Sequence, residues 1–285
     1  MTLLTLRQAL VQSSLLPLDA QVLLAYVLRA DRAYLHAHGE DPLPAAKATT
    51  FFALARRRRD GEPVAYLTGV REFWRFELSV TPNVLIPRPE TETLIEQALR
   101  RLPADRDLRL LDLGTGSGAI ALALARELPR ARILATDVSE AALRVARANA
   151  RRLNVFNVDF VHADWYDDDT LFAPSPLFDA IVSNPPYIGA SDPHLAQGDV
   201  RYEPIVALTS GGDGLTALRT IVAGAPARLA AGGFLAVEHG YDQSPAVREL
   251  LGEAGLVDLE ATRDLAGIER VALGRRARDP PPTIR

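Results

Sequence analysis

The sequence predicts an α/β fold, a mostly parallel sheet with helices on both faces, preceded by a small helical domain. Three observations carry this reading. After residue 107, short apolar runs alternate with amphipathic helical segments, as in chains that build parallel sheets covered by helices. A glycine-rich turn, "LGTGSGA", joins the first of these strands to the first of these helices. Residues 2 to about 60 instead place apolar side chains at three- and four-residue steps, the helical spacing.

In the N-terminal part, "LRQALVQSSLL", "LDAQVLLAYVLRA" and "PAAKATTFFALARRRRDG" read as short helices. A start is expected near Asp19 and a stop at Gly61. The run Arg56–Arg59 reads as cations completing the C-terminal end of a helix dipole rather than as a nucleic-acid surface. From 62 to 90 the alternation around Trp74 suggests a strand or hairpin, and Pro82, Pro87 and Pro89 punctuate its exit. A helix, "ETETLIEQALRRL", follows, with Glu90 and Glu92 in its early turn. Strands are then expected at "LRLLDLG", "ARILATD", "VDFVHAD", "FDAIVS", "GGFLAVEHG" and "ERVALGR". Helices are expected at "GAIALALARELP", "SEAALRVARANARRL", "GLTALRTIVAGAPARLA" and "QSPAVRELLGEAG". This divides the chain into a helical domain (1–68), a connecting hairpin or linker (69–89), an α/β domain (90–277) and a flexible tail (278–285).

Composition limits the function. A net charge of -4 argues against a chain built to coat nucleic acid. With no cysteine there are no disulfides or thiolate zinc sites, and the five histidines lack metal-ligand spacing, so no metal is expected. The N-terminus lacks a continuous signal-peptide core, and no apolar run approaches the length of a membrane span. A cytoplasmic protein is expected, with no membrane and no direct nucleic-acid partner.

Gly114, Gly116 and Gly118 allow positive φ and close backbone approach to a ligand beyond the carboxyl end of a strand. Asp137 ends the next strand, nineteen residues after Gly118, where a carboxylate accepts from ribose hydroxyls. Gly114, Gly116 and Ala119 also satisfy the dinucleotide fingerprint, so the glycines alone leave NAD and S-adenosylmethionine both open. The tight G-x-G-x-G spacing and Asp112 before it lean toward the latter. Asp164 and Trp165 after the third strand suit an adenine amino group and ring, or equally a turn and a core residue. Asp167–Asp169 read as a solvated loop, and His162, His194 and His239 as structural.

The stretch "IVSNPPYIG" stiffens the chain where the fourth strand emerges beside the glycine turn. A planar NH2 group conjugated to an sp2 carbon is a poor nucleophile. Two acceptors holding its hydrogens orient the nitrogen toward an electrophile. The side-chain oxygen of Asn184 and the main-chain oxygen of Pro185 supply such a pair, their separation fixed by Pro185 and Pro186, with Tyr187 offering a packing face. Asn184-Pro185-Pro186-Tyr187 resembles the N-P-P-Y motif of class I S-adenosylmethionine-dependent amino-group methyltransferases, which act on adenine or on glutamine amides.

Together with "GEPVAYLTGVREFWRFELSVTPNVLIPRPETE", "YEP", "GGDGL" and "EHGYDQ", the chain closely resembles the release-factor glutamine methyltransferases, the PrmC/HemK family, over nearly its whole length. The resemblance implies a Rossmann-like, seven-stranded class I methyltransferase domain and S-adenosylmethionine as cofactor. It implies N5-methylation of the glutamine in the Gly-Gly-Gln motif of class I peptide chain release factors by a monomer. Cofactor contacts would map onto Gly114, Thr115, Gly116, Ser117, Gly118, Asp137, Asp164, Trp165 and Asn184. Catalysis would fall to Asn184 and Pro185, and substrate binding to Asn184, Pro185, Pro186 and Tyr187. The helical domain and the "IPRPETE" loop would help grip the release factor. The rival readings are a nucleic-acid adenine methyltransferase, a nicotinamide-dependent oxidoreductase and a non-catalytic binding module.

Overall fold

The computed structural model describes residues 4–168, 171 and 177–278; Asp169 and the Pro-rich tail after Arg278 lie outside the described residues. Of the described residues, those up to Val70 together with His194–Tyr202 form one compact unit. Arg71–Pro193 with those from Glu203 onward form the other.

The first unit holds α1 (Leu6–Gln12), α2 (Pro17–Leu28), α3 (Arg32–Ala37), α4 (Ala45–Arg59) and α5 (Val64–Thr68). Thr5 and Gln8 close a reciprocal capping box on α1, satisfying two otherwise orphaned donors. Helix α2 starts at Pro17, where a missing N–H costs nothing, and Asp19 lies in its first turn. Leu6, Leu23, Leu24, Leu35, Leu43 and Phe51 make the core. The arginine run does more than neutralise a helix end. Arg57 pairs with Glu62, Arg58 reaches Asp19 at 2.7 Å and Asp199 at 2.6 Å, and Arg59 donates to the Ser13 carbonyl. These side chains tie α4 to its neighbours and to the 194–202 segment within this unit.

The chain enters the second unit within β1 (Val70–Phe73), which forms a hairpin with β2 (Phe76–Ser79); Phe73 and Leu78 enter the main core. Seven further strands make one sheet in the order β5-β4-β3-β6-β7-β9-β8. They are β3 (Leu108–Leu113), β4 (Ala131–Asp137), β5 (Val158–His162), β6 (Phe178–Ser183), β7 (Leu229–Glu238), β8 (Val257–Arg263) and β9 (Glu269–Arg275). All pairings are parallel except those of β9 with β7 and β8. Alternate side chains cover opposite faces. Leu110, Val182 and Ala236 pack with α6 (Thr91–Leu99) and α7 (Ala119–Glu127), while Leu111, Ile181 and Leu235 pack with α9 (Thr216–Gly224) and α10 (Ser244–Glu253). The remaining helix, α8 (Glu140–Arg152), flanks β4 and β5.

In the first unit α3 and α5 are helices beyond the three expected, and in the second unit two elements differ from the sequence expectation. The helix expected over 214–230 ends at Gly224, because Pro226 stops it, and β7 already begins at Leu229. Strand β8 carried no signal: it is an edge strand with most side chains exposed, so no apolar face marks it.

The chain runs outward from β3 through β4 and β5, then returns to the other side of β3 for β6 and β7. The order therefore reverses between β3 and β6, and the crevice at their carboxyl ends is where such sheets bind ligands.

Candidate active site

A cavity of about 410 Å³ opens at that crevice, in the range of small-molecule sites. Its floor is the turn after β3. Gly114, Gly116 and Gly118 all take positive φ (72°, 58° and 84°), which side chains rarely tolerate. Asp112 braces this turn from within: its fully buried carboxylate accepts from Thr115 Oγ1 at 2.7 Å and from the Ala121 N–H at 3.2 Å. From α8, buried Asn149 adds a second brace, donating to the carbonyls of Ser117 and Ser79 and accepting from the Ser79 N–H. Asn149 escaped the sequence reading, although a polar residue on the apolar stripe of α8 is a usable signal.

Burial pushes the Asp112 carboxyl up to about 7, outweighing its hydrogen bonds. Between about pH 4 and 7 the folded chain keeps a proton there that the unfolded chain has released, so this group's contribution to stability falls as pH rises across that window. The urea midpoint is expected to be higher at pH 5 than at pH 7. In D112N, which cannot titrate, that difference should shrink, and an unchanged difference would contradict the assignment.

Asp137, at the end of β4, accepts from the Gly116 N–H and the Ser139 N–H, each at 2.8 Å. A carboxylate offers about four lone-pair sites, so two directions remain for ligand hydroxyls while the other two hold the glycine turn in place. Burial raises its pKa, against the pull of those backbone donors. Asp164 and Trp165 line the same cavity. The Asp164 N–H bonds to Asp167, making the turn, and Trp165 sits at φ 52° with its ring 3.5 Å from where a Gly114 Cβ would stand. Ligand wall and turn are thus one feature.

At the end of β6, which pairs with β3, Asn184 and Pro186 also line the cavity, whereas Pro185 is buried and neither it nor Tyr187 is among the lining residues. Gly118 also stands back; a Cβ there would meet Leu122 at 3.0 Å. The Asn184 Nδ2 donates to Thr91 Oγ1 at 3.0 Å. Tyr187 turns its ring into the core beneath α9 and donates its hydroxyl to Glu238. Its carbonyl accepts from Gln243, and the Ile188 and Ala190 N–H groups bond to the 208–211 strip that forms the cavity rim. Glu203 of "YEP", its side chain fully buried, pairs with Arg88 of "IPRPE". Thr91 belongs to the "IPRPETE" loop, expected to grip the release factor, and here it bonds Asn184; Glu238 and Gln243 of "EHGYDQ" bond Tyr187. Among the described residues no three His, Cys, Asp or Glu side chains converge as a metal site.

Comparison with known proteins decides the family. A model described as the PrmC N-terminal domain matches residues 3–69, and one described as the methyltransferase small domain matches 91–202. The release factor glutamine methyltransferase of Xylella fastidiosa is 54% identical over 257 residues, covering 90% of this chain and 92% of that protein. This chain belongs to the release factor glutamine methyltransferases. The Escherichia coli member is 48% identical over 90% of this chain and 91% of its own. Among solved structures, a Pyrococcus furiosus methyltransferase superposes with a TM-score of 0.54 at 18% identity, covering 78% of this chain and 97% of that one, which supports the fold alone.

The cavity fits the methyl donor of this fold. Gly114 and Gly116 leave the cradle open where side chains would fill it, and Asp137 keeps lone pairs for ribose. S-adenosylmethionine at 100 times its Kd is expected to stabilise the protein by about 2.7 kcal/mol, raising Tm by roughly 5–10 °C. NAD at the same concentration should leave Tm unchanged, and the reverse pattern in a thermal-shift assay would return the site to the oxidoreductase reading.

Proposed function

We propose that this protein methylates the side-chain amide nitrogen of a release-factor glutamine, the one in the Gly-Gly-Gln motif of class I peptide chain release factors. The observation that carries this reading is the place of Asn184: it lines the cavity with its Nδ2 bonded to Thr91 Oγ1, and its Oδ1 supplies the acceptor. Bound at the glycine turn, S-adenosylmethionine supplies a methyl group on a positively charged sulfur, an electrophile that needs little activation. Gly114, Thr115, Gly116, Ser117, Asp137, Asp164 and Trp165 hold the cofactor, with Gly118 shaping the turn behind them. Asn184 Oδ1 and the Pro185 carbonyl take the two hydrogens of the substrate amide. That grip turns the nitrogen lone pair out of conjugation and toward the sulfonium end of the cavity. Pro185 and Pro186 keep the two acceptors in place before substrate arrives, so catalysis is chiefly positioning. The proton leaves to water or a carbonyl as the nitrogen becomes tetrahedral, and no strong base is required.

Residues 1–68 and the 69–89 connector serve substrate recognition, and 90–277 the transfer itself. We read the protein as a cytoplasmic monomer that needs no nucleic acid. The acidic balance of the chain supports the last point, and no helix among the described residues is long and apolar enough to cross a membrane. The test offers labelled S-adenosylmethionine with three acceptors: a class I release factor, duplex DNA and ribosomal RNA. Label on the release factor alone is expected, whereas label on either nucleic acid alone would replace this reading with an adenine methyltransferase.

A further inference from the structure

The motifs "GGDGL" and "EHGYDQ" meet at one atom, the main-chain oxygen of Tyr187. Gln243, the residue before α10, donates from its Nε2 to that oxygen at 2.9 Å. Its Oε1 accepts from the Gly240 N–H at 2.8 Å. An N–H can bond only the oxygen of an amide, so the Gly240 contact settles which end of Gln243 faces Tyr187. Gly214 packs against the same bond: at φ 76°, a Cβ there would stand 2.3 Å from the Tyr187 oxygen and 2.9 Å from the Gln243 Nε2. The next peptide is held as well, the Ile188 N–H bonding the Leu208 carbonyl at 2.9 Å. Gln243 itself is not among the residues lining the cavity.

What this anchor controls follows from the chain before it. Ser183 is locked in the sheet between Leu113 and Val237. From there to Tyr187 run only Asn184, Pro185 and Pro186. Each proline ring holds its own φ at about −65° and keeps the residue before it extended. Fixed at both ends, a segment with so few free torsions gives the Pro185 carbonyl one place; released at Tyr187, it is held from Ser183 alone. We propose that Gln243 is a positioning residue of the methyl transfer: by holding the Tyr187 carbonyl it fixes the far end of the Asn184–Tyr187 segment and so the place of the Pro185 acceptor. The inference rests on the function proposed above. The prolines supply stiffness, and Gln243 supplies the point against which that stiffness acts.

Wild type, Gln243→Glu and Gln243→Met are compared for kcat, for KM toward a class I release factor, for S-adenosylmethionine Kd and for Tm. Glutamate keeps an oxygen for the Gly240 N–H but, ionised, sets an acceptor against the Tyr187 carbonyl. Methionine is unbranched like glutamine and donates to neither. In both variants kcat should fall about 10- to 100-fold, the effect of a small misplacement at a reacting centre. KM and cofactor Kd should stay within about threefold, the signature of an interaction that matters in the transition state. Wild-type kcat in Gln243→Glu, the result expected if Gln243 serves only the turn at Gly240, overturns the proposal. Parallel losses in kcat, KM and Kd overturn it too, since general damage to the fold has no reason to spare binding. If melting shows Gln243→Glu to be unfolded, the split between kcat and KM in the uncharged Gln243→Met decides. A wild-type protein that binds S-adenosylmethionine but leaves the release factor unmodified overturns the functional reading itself, a result separable from failure of the variants.

Discussion

Replacing Asn184 by alanine is expected to lower kcat by about 100- to 1,000-fold, the range found when one preorganised hydrogen-bonding group at a reaction centre is removed. The structure gives this side chain little else to do. It lines the cavity, its Nδ2 is bonded to Thr91 Oγ1, and two prolines follow it. Without Oδ1 only the Pro185 carbonyl remains to hold the substrate amide. One acceptor leaves the nitrogen free to rotate and keep its lone pair in conjugation. Cofactor affinity, measured by calorimetry, should weaken far less, because the glycine turn and Asp137 stay intact. Equal losses in turnover and cofactor binding would show that Asn184 is a cofactor ligand rather than the group that orients the substrate.

The opposite pattern is expected for Asp137→Ala. Two charge-assisted bonds, to the Gly116 and Ser139 N–H groups, disappear together with the acceptor for ribose hydroxyls. A charge-assisted bond to each of two ribose hydroxyls contributes roughly 1.5–3 kcal/mol, so the Kd for S-adenosylmethionine should rise by at least about 100-fold. At saturating cofactor, kcat should recover to within about threefold, since Asp137 touches neither the substrate amide nor its two acceptors. A kcat that stays low when cofactor saturates would mean that Asp137 positions the reacting end as well. The two substitutions thus separate cofactor binding from the transfer step.

The binding wall was legible in the sequence because its parts are local. A strand, three glycines with positive φ and an acidic residue ending the next strand follow one another within twenty-six residues of Asp112. Asn184 and its prolines were legible for the same reason. What supports them was not, because it arrives from distant parts of the chain. Thr91 lies 93 residues before Asn184, and Glu238 lies 51 residues after Tyr187. Neither residue type at such a distance announces a partner; only the order β3-β6-β7 brings them together. Tyr187 illustrates the same limit. An aromatic ring beside a candidate site reads as a substrate platform, and its turn into the core beneath α9 depends on Glu238 and Gln243, both supplied by the end of β7 and the turn after it. The exposed edge strand β8 lay beyond reach for a different reason, since hydrophobic periodicity reports burial and β8 is hardly buried.

The proposed reaction methylates the nitrogen of a release-factor glutamine amide held by Asn184 and Pro185. The most direct measurement incubates the purified protein with methyl-labelled S-adenosylmethionine and a class I release factor, then maps the label by peptide mass spectrometry. The same factor with its Gly-Gly-Gln glutamine changed to alanine serves as the control. The account predicts one methyl group on that glutamine and none in the control. Label that persists in the control, or no label on either factor while cofactor binding is intact, would contradict it.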